Sequence, residues 1–548
     1  MGISISKRKT SLFVISCGFL CAAAISTALY LAVACSSQKQ EAPQNVILIT
    51  LDTQRSDHIG AYGSQKTETP NIDYFARNGL VFENCYSPIP ITAPAHSSLL
   101  YSLPPHELEL YNNGQVFNRG KKITSMAQVF RSKGFQTAAF ISLGVLKSEF
   151  GLGDGFDDYE DSHPEQRWYL HAEEVNDRVF PWLDRNRQNR FFIWIHYSDP
   201  HDPYAPPSLP PDLKITLNGI HHKDICLKHE ERLFFSFRLK TGENTIAFSV
   251  LDPYPDRRDD YRVSLNQLNY LGSKELALSY DGIKVIDKNG QSSLLIDDGG
   301  KIKISNAGEE QEFRMSAQGK IYLLPSEKVA GYSAEVEYMD GQIGQLTKKL
   351  RQVNLLDRTL LVLVGDHGEG LGDHRTRLGD PHFGHIHFLY GEYLKVPLII
   401  SNPFLSKGTG RRSGLATILD VAPTVLGMMG WNKLSFHKGR DLLKTEDTGQ
   451  TFFFGETFRP ESTRDRFSGL AYPWYLIFTP SRERYELYNL RDDPAETTDI
   501  FERMKSQPEI MELRRRITTM SLQILSQKKD VHLDPKSLEM LRSLGYIE

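Results

Sequence analysis

The sequence predicts an α/β fold, in which a mostly parallel sheet is sandwiched by helices. Strand-like apolar runs alternate with helix-like stretches in both halves of the chain. In the middle, short strand-like runs separated by turn signals replace this alternation. Alternating strands and helices are typical of parallel sheets, because each parallel crossover needs a connection that is usually a helix.

The individual elements follow from apolar patterning and from terminator residues. Asn78-Gly79 ends the first predicted helix and Gly134 ends the second, as glycine commonly does after a last helical turn. The predicted strands lie at residues 46–51, 137–142, 191–196, 360–364 and 396–400. The predicted helices lie at residues 70–77, 125–133, 332–353 and 417–429.

The middle of the chain predicts an inserted all-β module of the sandwich type. Strand candidates at residues 233–239, 246–250 and 302–304 are separated by turn signals such as Asn289-Gly290. The domain organisation that we predict is a signal or anchor (1–35), a tether (36–44), a first α/β part (45–206), the β module (207–328), a second α/β part (329–440) and a smaller C-terminal subdomain (441–548).

Composition indicates a globular protein and excludes a nucleic-acid partner. The 548 residues are 40% hydrophobic and 11% aromatic, which is enough to bury a large core. The net charge is −4, and no long basic run is present. We therefore expect no binding to nucleic acid.

The N-terminus predicts export and membrane anchoring. Lys7-Arg8-Lys9 precedes a mostly apolar run from Leu12 to Ala34, and Cys35 follows small residues, which is typical of a bacterial lipoprotein signal with lipid on the cysteine sulfur. The alternative is an uncleaved transmembrane anchor. Either interpretation places the body of the protein outside the cytoplasm, at the cell envelope. Cys17 and Cys21 lie within the apolar run, and the remaining Cys85 and Cys226 do not indicate a disulfide framework.

Two predicted strands end in candidate metal ligands. Asp52 follows the first strand, and Asp366 and His367 follow the strand that begins at Leu360. In open α/β sheets, ligands bind beyond the carboxyl ends of the strands. Two carboxylates and an imidazole predict one divalent cation, with zinc or manganese favoured over calcium. The alternative for each aspartate is a helix cap or a turn.

Thr92 is the candidate nucleophile. It precedes Pro94 and a helix-like run, and threonine at an N-cap with proline just inside is an ordinary helix start. The functional interpretation adds that a helix N-terminus presents N–H groups and partial positive charge to an anionic ester. A hydroxyl bound to a divalent cation there would be acidified into a nucleophile.

Several ordered motifs give the chain a specific resemblance. They lie at residues 49–63, 69–73, 196–204, 365–374, 385–390, 396–397 and 485–490. Over most of residues 45–205 and 329–548, the chain resembles the sulfatase family of the alkaline phosphatase superfamily, which implies the corresponding α/β fold and ester hydrolysis.

The resemblance implies roles residue by residue. Asp52, Asp366 and His367 would hold the metal, with Thr92 as both ligand and nucleophile. His201 and His385 match positions that face the charged group or the leaving oxygen of the substrate, and His387 competes for this role. His96, at the position of the family's motif arginine, is a further catalytic candidate.

The chain also departs from the family pattern. Sulfatases build formylglycine from Cys or Ser in a Cys/Ser-x-Pro-x-Arg motif, and Thr92 and His96 stand at the first and last positions, so we expect no formylglycine. Thr53 replaces the second metal-binding acid. Residues 140–145 lack the Lys-x-His that clamps sulfate in many members.

Three functions follow from these residues. The first is a metal-dependent hydrolase of sulfate or phosphate esters, of the phosphodiesterase type if threonine attacks, acting on an anionic ester carried by a glycan or lipid. The second is a phosphoethanolamine- or phosphoglycerol-type transferase. The third is a non-catalytic, glycan-binding surface lipoprotein that uses the β module.

Overall fold

The structure is a computed structural model. It describes residues 42–528 and residue 541, apart from residues 118–122, 165–166, 203, 205–212, 226–229, 251–261, 271–276, 282–283, 289–290, 297–299, 307–310, 323–324, 377–378, 402–408, 445–451 and 459–463. The predicted signal or anchor, with Cys35, therefore lies outside the described residues. Within them, no helix combines the length and the apolar character needed to cross a membrane.

The helices in the described residues are α1 Pro70–Arg77, α2 Thr92–Tyr101, α3 Pro105–Leu108, α4 Met126–Ser132, α5 Ala172–Asn186, α6 Pro325–Gln352, α7 Gly391–Leu394, α8 Val421–Met428, α9 Phe501–Met504 and α10 Pro508–Gln527. The strands before α6 are β1 Asn45–Leu51, β2 Gly79–Tyr86, β3 Gln136–Phe140, β4 Asp158–Glu160, β5 Phe191–Tyr197, β6 Leu213–Leu217, β7 Ile220–Ile225, β8 Glu230–Leu239, β9 Gly242–Val250, β10 Arg262–Tyr270, β11 Ala277–Asp281, β12 Lys284–Lys288, β13 Gln291–Ile296, β14 Gly300–Asn306 and β15 Gln311–Tyr322. Those after it are β16 Thr359–Gly365, β17 Gly370–Arg375, β18 Pro381–Gly384, β19 Lys395–Ser401, β20 Gly410–Thr417, β21 Phe453–Thr457, β22 Arg466–Ala471, β23 Trp474–Thr479 and β24 Arg484–Asn489.

An eight-stranded sheet forms the centre of the fold. Its order is β20-β2-β19-β16-β1-β5-β3-β4. Only β19 runs against its two neighbours, and the other pairs are parallel. The predicted fold class is confirmed. The helix predicted at residues 417–429 is in fact a short 3₁₀ turn, Ile418–Asp420, followed by α8.

Both faces of the sheet are covered because the strands are apolar on both faces. Val46 and Leu48 of β1 join a core with α2, α4 and α8. Ile47 and Ile49 point to the opposite face and join a core with α1, α5 and α6. Successive strand side chains alternate between faces, so an uninterrupted apolar strand needs helices on each side.

Ten strands lie between β5 and α6 in the described part of this segment. They form two five-stranded sheets, in the orders β12-β13-β10-β15-β8 and β11-β14-β9-β6-β7. The strand pairs within both sheets are antiparallel. The domain boundaries given from the sequence stay a prediction.

The C-terminal region packs on the sheet through β21 to β24, a four-stranded antiparallel sheet with α10 against it. His374 on β17, which pairs with β18 in a separate two-stranded sheet, connects this region to α7. Its Nδ1 pairs with Glu392 of α7, and its Nε2 lies 3.0 Å from the backbone oxygen of Glu496. The ring also stacks on Tyr390. Since acceptors face both ring nitrogens, this contact favours the doubly protonated imidazolium.

The charge of His374 predicts a pH-dependent stability. Burial acts to lower the pKa of His374, but the hydrogen bond and charge of Glu392 raise it to about 9. Burial and the charge of Glu392 raise the pKa of Glu496 to about 8. These two groups therefore bind more protons in the folded chain than in the unfolded chain, and the stability that His374 contributes is lost as pH rises from about 6.5 through 9.

We expect the Tm of the wild type to fall over this range, and His374→Asn to reduce the fall by at least about 2 °C. Thermal unfolding of both proteins at each pH, in constant salt, measures the difference. Parallel profiles would show that His374 does not carry the effect.

Candidate functional site

The predicted metal ligands meet at the carboxyl edge of the sheet. Strands β1 and β16 pair in parallel with Leu51 opposite Gly365, so the next residues, Asp52 and Asp366, emerge side by side. One ligand atom from each of Asp52, Asp366 and His367 lies within 4.8 Å of the others. All three side chains are fully buried. The convergence predicted from the strand ends is present in the structure.

In each carboxylate, one oxygen contacts a hydrogen-bond donor of the protein, and the other oxygen has no hydrogen-bond partner among the described residues. Oδ1 of Asp366 accepts hydrogen bonds from the backbone N–H groups of Thr53 at 3.2 Å and His367 at 2.7 Å. Oδ2 of Asp52 lies 3.1 Å from Nε2 of His196. The other oxygens, Asp52 Oδ1 and Asp366 Oδ2, are buried with no hydrogen-bond partner among the described residues. Leaving such oxygens unpaired is costly, and a divalent cation between them would satisfy both.

Thr53 reaches Asp366 through a strained backbone. Its φ is +53°, in the left-handed region, where a β-branched residue is uncommon and costs on the order of 1–3 kcal/mol. The Thr53 hydroxyl donates to the carbonyl of Asp52 at 2.8 Å, and the Tyr332 hydroxyl donates to the carbonyl of Thr53 at 2.8 Å. These contacts hold a conformation that directs the N–H of Thr53 to the carboxylate.

Electrostatics also favour a cation at this position. Burial acts to raise the pKa of Asp52, but the hydrogen bond and charge of His196 hold it below its usual range. Burial and the neighbouring Asp52 raise the pKa of Asp366 well above its usual range. Burial and the charge of His385 lower the pKa of His367 to about 3, which keeps the imidazole neutral and able to act as a ligand. Two buried carboxylates this close need a compensating positive charge to ionise together.

Thr92 lies beside the metal set, but it is not the helix cap expected from the sequence. It is the first residue of α2, and Ile91, whose carbonyl accepts from the N–H of Ala95 at 3.0 Å, holds the cap position. The Thr92 hydroxyl instead lies 3.3 Å from Nε2 of His367. Its hydroxyl therefore faces the metal set from the first turn of α2.

The first turn of α2 differs from the predicted cradle of N–H groups. The N–H of Ala93 donates to Oδ1 of Asn113 at 2.8 Å, Pro94 has no N–H, and that of Ala95 closes the helix. The part of this prediction that survives is the partial positive charge of the helix N-terminus.

His96 supports the site from behind Thr92. Its Nδ1 lies 2.8 Å from the backbone oxygen of Thr92, one helical turn earlier, and 3.5 Å from Oδ2 of Asp366. Burial and the charge of His196 lower the pKa of His96 to about 3, so the ring is neutral. The structure therefore places His96 among the groups that position Thr92.

Two of the three remaining histidine candidates adjoin the metal set. The ring of His385 lies 4.5 Å from that of His367 and 5.1 Å from that of His201, measured between centroids. Nδ1 of His201 bonds to the carbonyl of Asp202 at 2.7 Å. His387 has its ring contact with His382, at 5.5 Å. The geometry favours His201 and His385 over His387.

Four residues that the sequence did not single out for a role hold the site together. His196 bonds to Asp52, and its Nδ1 lies 2.7 Å from the hydroxyl of Ser142. Oε2 of Glu369 lies 3.0 Å from Nδ1 of His385, and Oε1 accepts from the hydroxyl of Tyr204 at 2.9 Å. Burial raises the pKa of Glu369 to about 8. The only indication of these four residues in the sequence is that three of them lie inside the motifs that carry the family resemblance.

The unpaired carboxylate oxygens predict that the protein binds a metal ion, and this binding can be measured without a substrate. We expect Ca²⁺ or Mg²⁺ to bind the wild type and raise its Tm, and Asp366→Asn to abolish both effects. His196→Ala, which removes a partner of Asp52 but no ligand, should weaken binding by roughly 10–100-fold. Calorimetric titration of metal-free protein gives the affinities. Asp340→Asn, a change at a buried carboxylate on α6, is the control, and equal weakening in all three variants would contradict the assignment.

Comparison with known families identifies both halves of the chain. The sulfatase family matches residues 44–431, and the family described as N-sulphoglucosamine sulphohydrolase, C-terminal, matches residues 380–523.

Relatives match over most of the chain. An N-acetylglucosamine-6-O-sulfatase of Bacteroides thetaiotaomicron is 24% identical, over 89% of this chain and 88% of its own. An arylsulfatase of Clostridium perfringens is 23% identical, over 86% of this chain and 93% of its own.

Solved structures share the fold. A structure in complex with its substrate D-glucosamine-2-N,6-O-disulfate has a TM-score of 0.59 at 18% identity, covering 90% of this chain and 100% of its own. The phosphonate monoester hydrolase of Agrobacterium radiobacter has a TM-score of 0.57 at 16% identity, covering 90% and 98%.

The cofactor prediction is wrong. The sequence favoured zinc or manganese and no formylglycine, whereas enzymes of the matched family typically use formylglycine with a calcium or magnesium ion. The preference for zinc or manganese depends on the one imidazole of the set. The donors without a hydrogen-bond partner are carboxylate oxygens, which hard cations such as Ca²⁺ and Mg²⁺ prefer. The expectation that no formylglycine forms depends on the single position Thr92, whereas the family match extends over residues 44–431.

The family match begins before β1 and extends past α8, so it includes the complete central sheet and the metal set. The second match continues through the C-terminal sheet and most of α10. The chain belongs to the sulfatase family of the alkaline phosphatase superfamily.

Proposed function

We propose that this protein hydrolyses sulfate esters on an amino sugar or a glycan that contains one. The observation that carries the proposal is the buried set of Asp52, Asp366 and His367, with residue 92 and two histidines beside it. The similarity to an N-acetylglucosamine-6-O-sulfatase supports the choice of sugar. A substrate-bound structure of the same fold contains a sulfated glucosamine.

Asp52, Asp366 and His367 would hold the divalent cation. When bound, a cation there offsets the charge of the sulfate oxygens and of the oxygen that attacks. The protein supplies the remaining positive field from the N-terminus of α2, which begins at residue 92. Because the site is fully buried, these charges act in a medium of low dielectric constant and stabilise a transition state more than they would in water.

Residue 92 is the position of attack in this proposal. The Thr92 side chain lies next to His367, and His96 and the start of α2 hold its backbone. The relatives do not support threonine itself as the nucleophile, because their family typically uses formylglycine. Intact mass measurement of the peptide that contains residue 92 identifies the group that stands there.

The histidines serve the leaving group. His201 and His385 are in ring contact beside His367, within reach of an ester bound at the metal set. Burial and the charge of His201 lower the pKa of His385 to about 3, and the negative charge of a bound sulfate ester acts to raise it. As the S–O bond breaks, an imidazole protonated in this way gives its proton to the departing sugar oxygen, and water restores that proton later. General acid catalysis of this kind contributes about 10²–10⁴-fold to rate.

An ester panel tests the proposal. We expect the wild type to hydrolyse N-acetylglucosamine 6-sulfate and 4-nitrophenyl sulfate faster than the matching phosphate monoester and phosphodiester. Thr92→Val keeps the shape and removes the side-chain oxygen that lies 3.3 Å from Nε2 of His367, so kcat should fall at least ~10³-fold, because residue 92 is the position of attack in this proposal. Thr92→Ser is the matched control that keeps a hydroxyl. Faster phosphodiester hydrolysis, or full activity in Thr92→Val, would refute the proposal.

We also propose that the enzyme is anchored at the cell envelope by a lipid on Cys35. The basic start, the apolar run and the small residues before Cys35 support it. In cells fed labelled palmitate, we expect the wild type and Cys21→Ala to be labelled and Cys35→Ala to lose the label. A Cys35→Ala protein that stays labelled would refute lipidation at this residue.

A further inference from the structure

Glu369 is a buried carboxylate whose partners belong to the site. It lies two residues after His367 and is fully buried. Its Oε1 accepts from the Tyr204 hydroxyl at 2.9 Å, and its Oε2 lies 3.0 Å from Nδ1 of His385. Tyr204 is itself buried, so these three side chains form a continuous hydrogen-bonded chain that ends at an imidazole beside the metal set.

Two other buried acids of this protein, Asp340 and Asp420, have main-chain partners. Asp340 accepts from the backbone N–H groups of Asn71 and Ile72, and Asp420 accepts from those of Thr417 and Arg440. Such carboxylates satisfy the backbone at the start of a helix or turn, which is a structural role. Glu369 instead has a hydroxyl and an imidazole as its partners, and so it orients side chains.

The main chain of Glu369 is held from two sides. Its N–H donates to the carbonyl of Glu392 at 3.0 Å, and its carbonyl accepts from Nη1 of Arg55 at 3.2 Å. The carboxylate therefore has a defined position before any substrate arrives. A group that must present an imidazole at a set angle needs this kind of preorganisation.

We propose that Glu369 is a positioning residue for His385, with Tyr204 holding Glu369 in turn. One hydrogen-bonded proton lies between Oε2 of Glu369 and Nδ1 of His385, so proton exchange with the leaving oxygen takes place at Nε2. This inference rests on the proposed ester hydrolysis, in which an imidazole serves the leaving group. The inference assigns proton transfer to the leaving oxygen to His385, and it states that the orientation of the His385 ring depends on Glu369.

The kinetic test compares leaving groups. A phenolate such as 4-nitrophenolate leaves with little protonation, whereas a sugar alkoxide needs a proton as the bond breaks. For Glu369→Gln, which keeps the volume but cannot accept at both positions, we expect kcat on N-acetylglucosamine 6-sulfate to fall roughly 10²-fold with KM nearly unchanged. On 4-nitrophenyl sulfate the fall should be less than about 3-fold, by the same principle. Tyr204→Phe should show the same selectivity with a smaller loss.

Asp340→Asn serves as the matched control, because it alters a buried carboxylate that contacts no site histidine. We expect any loss in this variant to be equal for both esters. Metal content is measured in every protein. Equal losses on both esters in Glu369→Gln, or a loss of its metal, would overturn the positioning role.

A crystal structure of Glu369→Ala decides the pairing independently of activity. We expect the His385 ring to turn away from its wild-type orientation while Asp52, Asp366 and His367 keep theirs. An unmoved ring would overturn the inference. If the wild type hydrolyses no sulfate ester, the proposed function fails, and the orientation of His385 in this variant still decides whether Glu369 positions it.

Discussion

The in-register parallel pairing of β1 with β16 is the constraint on which the rest of the site depends. It brings the backbone of Asp52 and Asp366 out of the sheet together, with both carboxylates fully buried. One oxygen of each acid lies beside a protein donor, and the two oxygens that remain could together hold a cation.

The apolar cores on the two faces of the sheet bury this strand pair from both sides. Strand β1 contributes side chains to both cores, and helices from both halves of the chain cover them. The β module lies between those halves in sequence, but the strands that carry the metal ligands pair directly. The ligand set therefore depends on sheet register, and the connecting segment can be long.

The sequence predicted the sheet, its covering helices and the metal set, because these depend on local patterns. Apolar runs mark β1 and β16, and the carboxyl ends of parallel strands share one edge, so Asp52 and Asp366 could be placed together. It could not place His196 against Asp52 or Glu369 against His385, since those contacts join residues whose relation is set by tertiary packing. It misplaced Thr92 as a cap because proline near a helix start suits several positions, and the choice between them depends on which group the hydroxyl faces.

Thr53 shows how the ligand set tolerates change in neighbouring side chains. What holds Asp366 at this point is an amide of the main chain, and that amide would remain with a different residue at position 53. Only the left-handed turn must be kept, and the Tyr332 hydroxyl helps to enforce it from α6. A chain of this family can therefore carry threonine at position 53 in place of the second acid, and the main-chain amide still holds Asp366 in the same position.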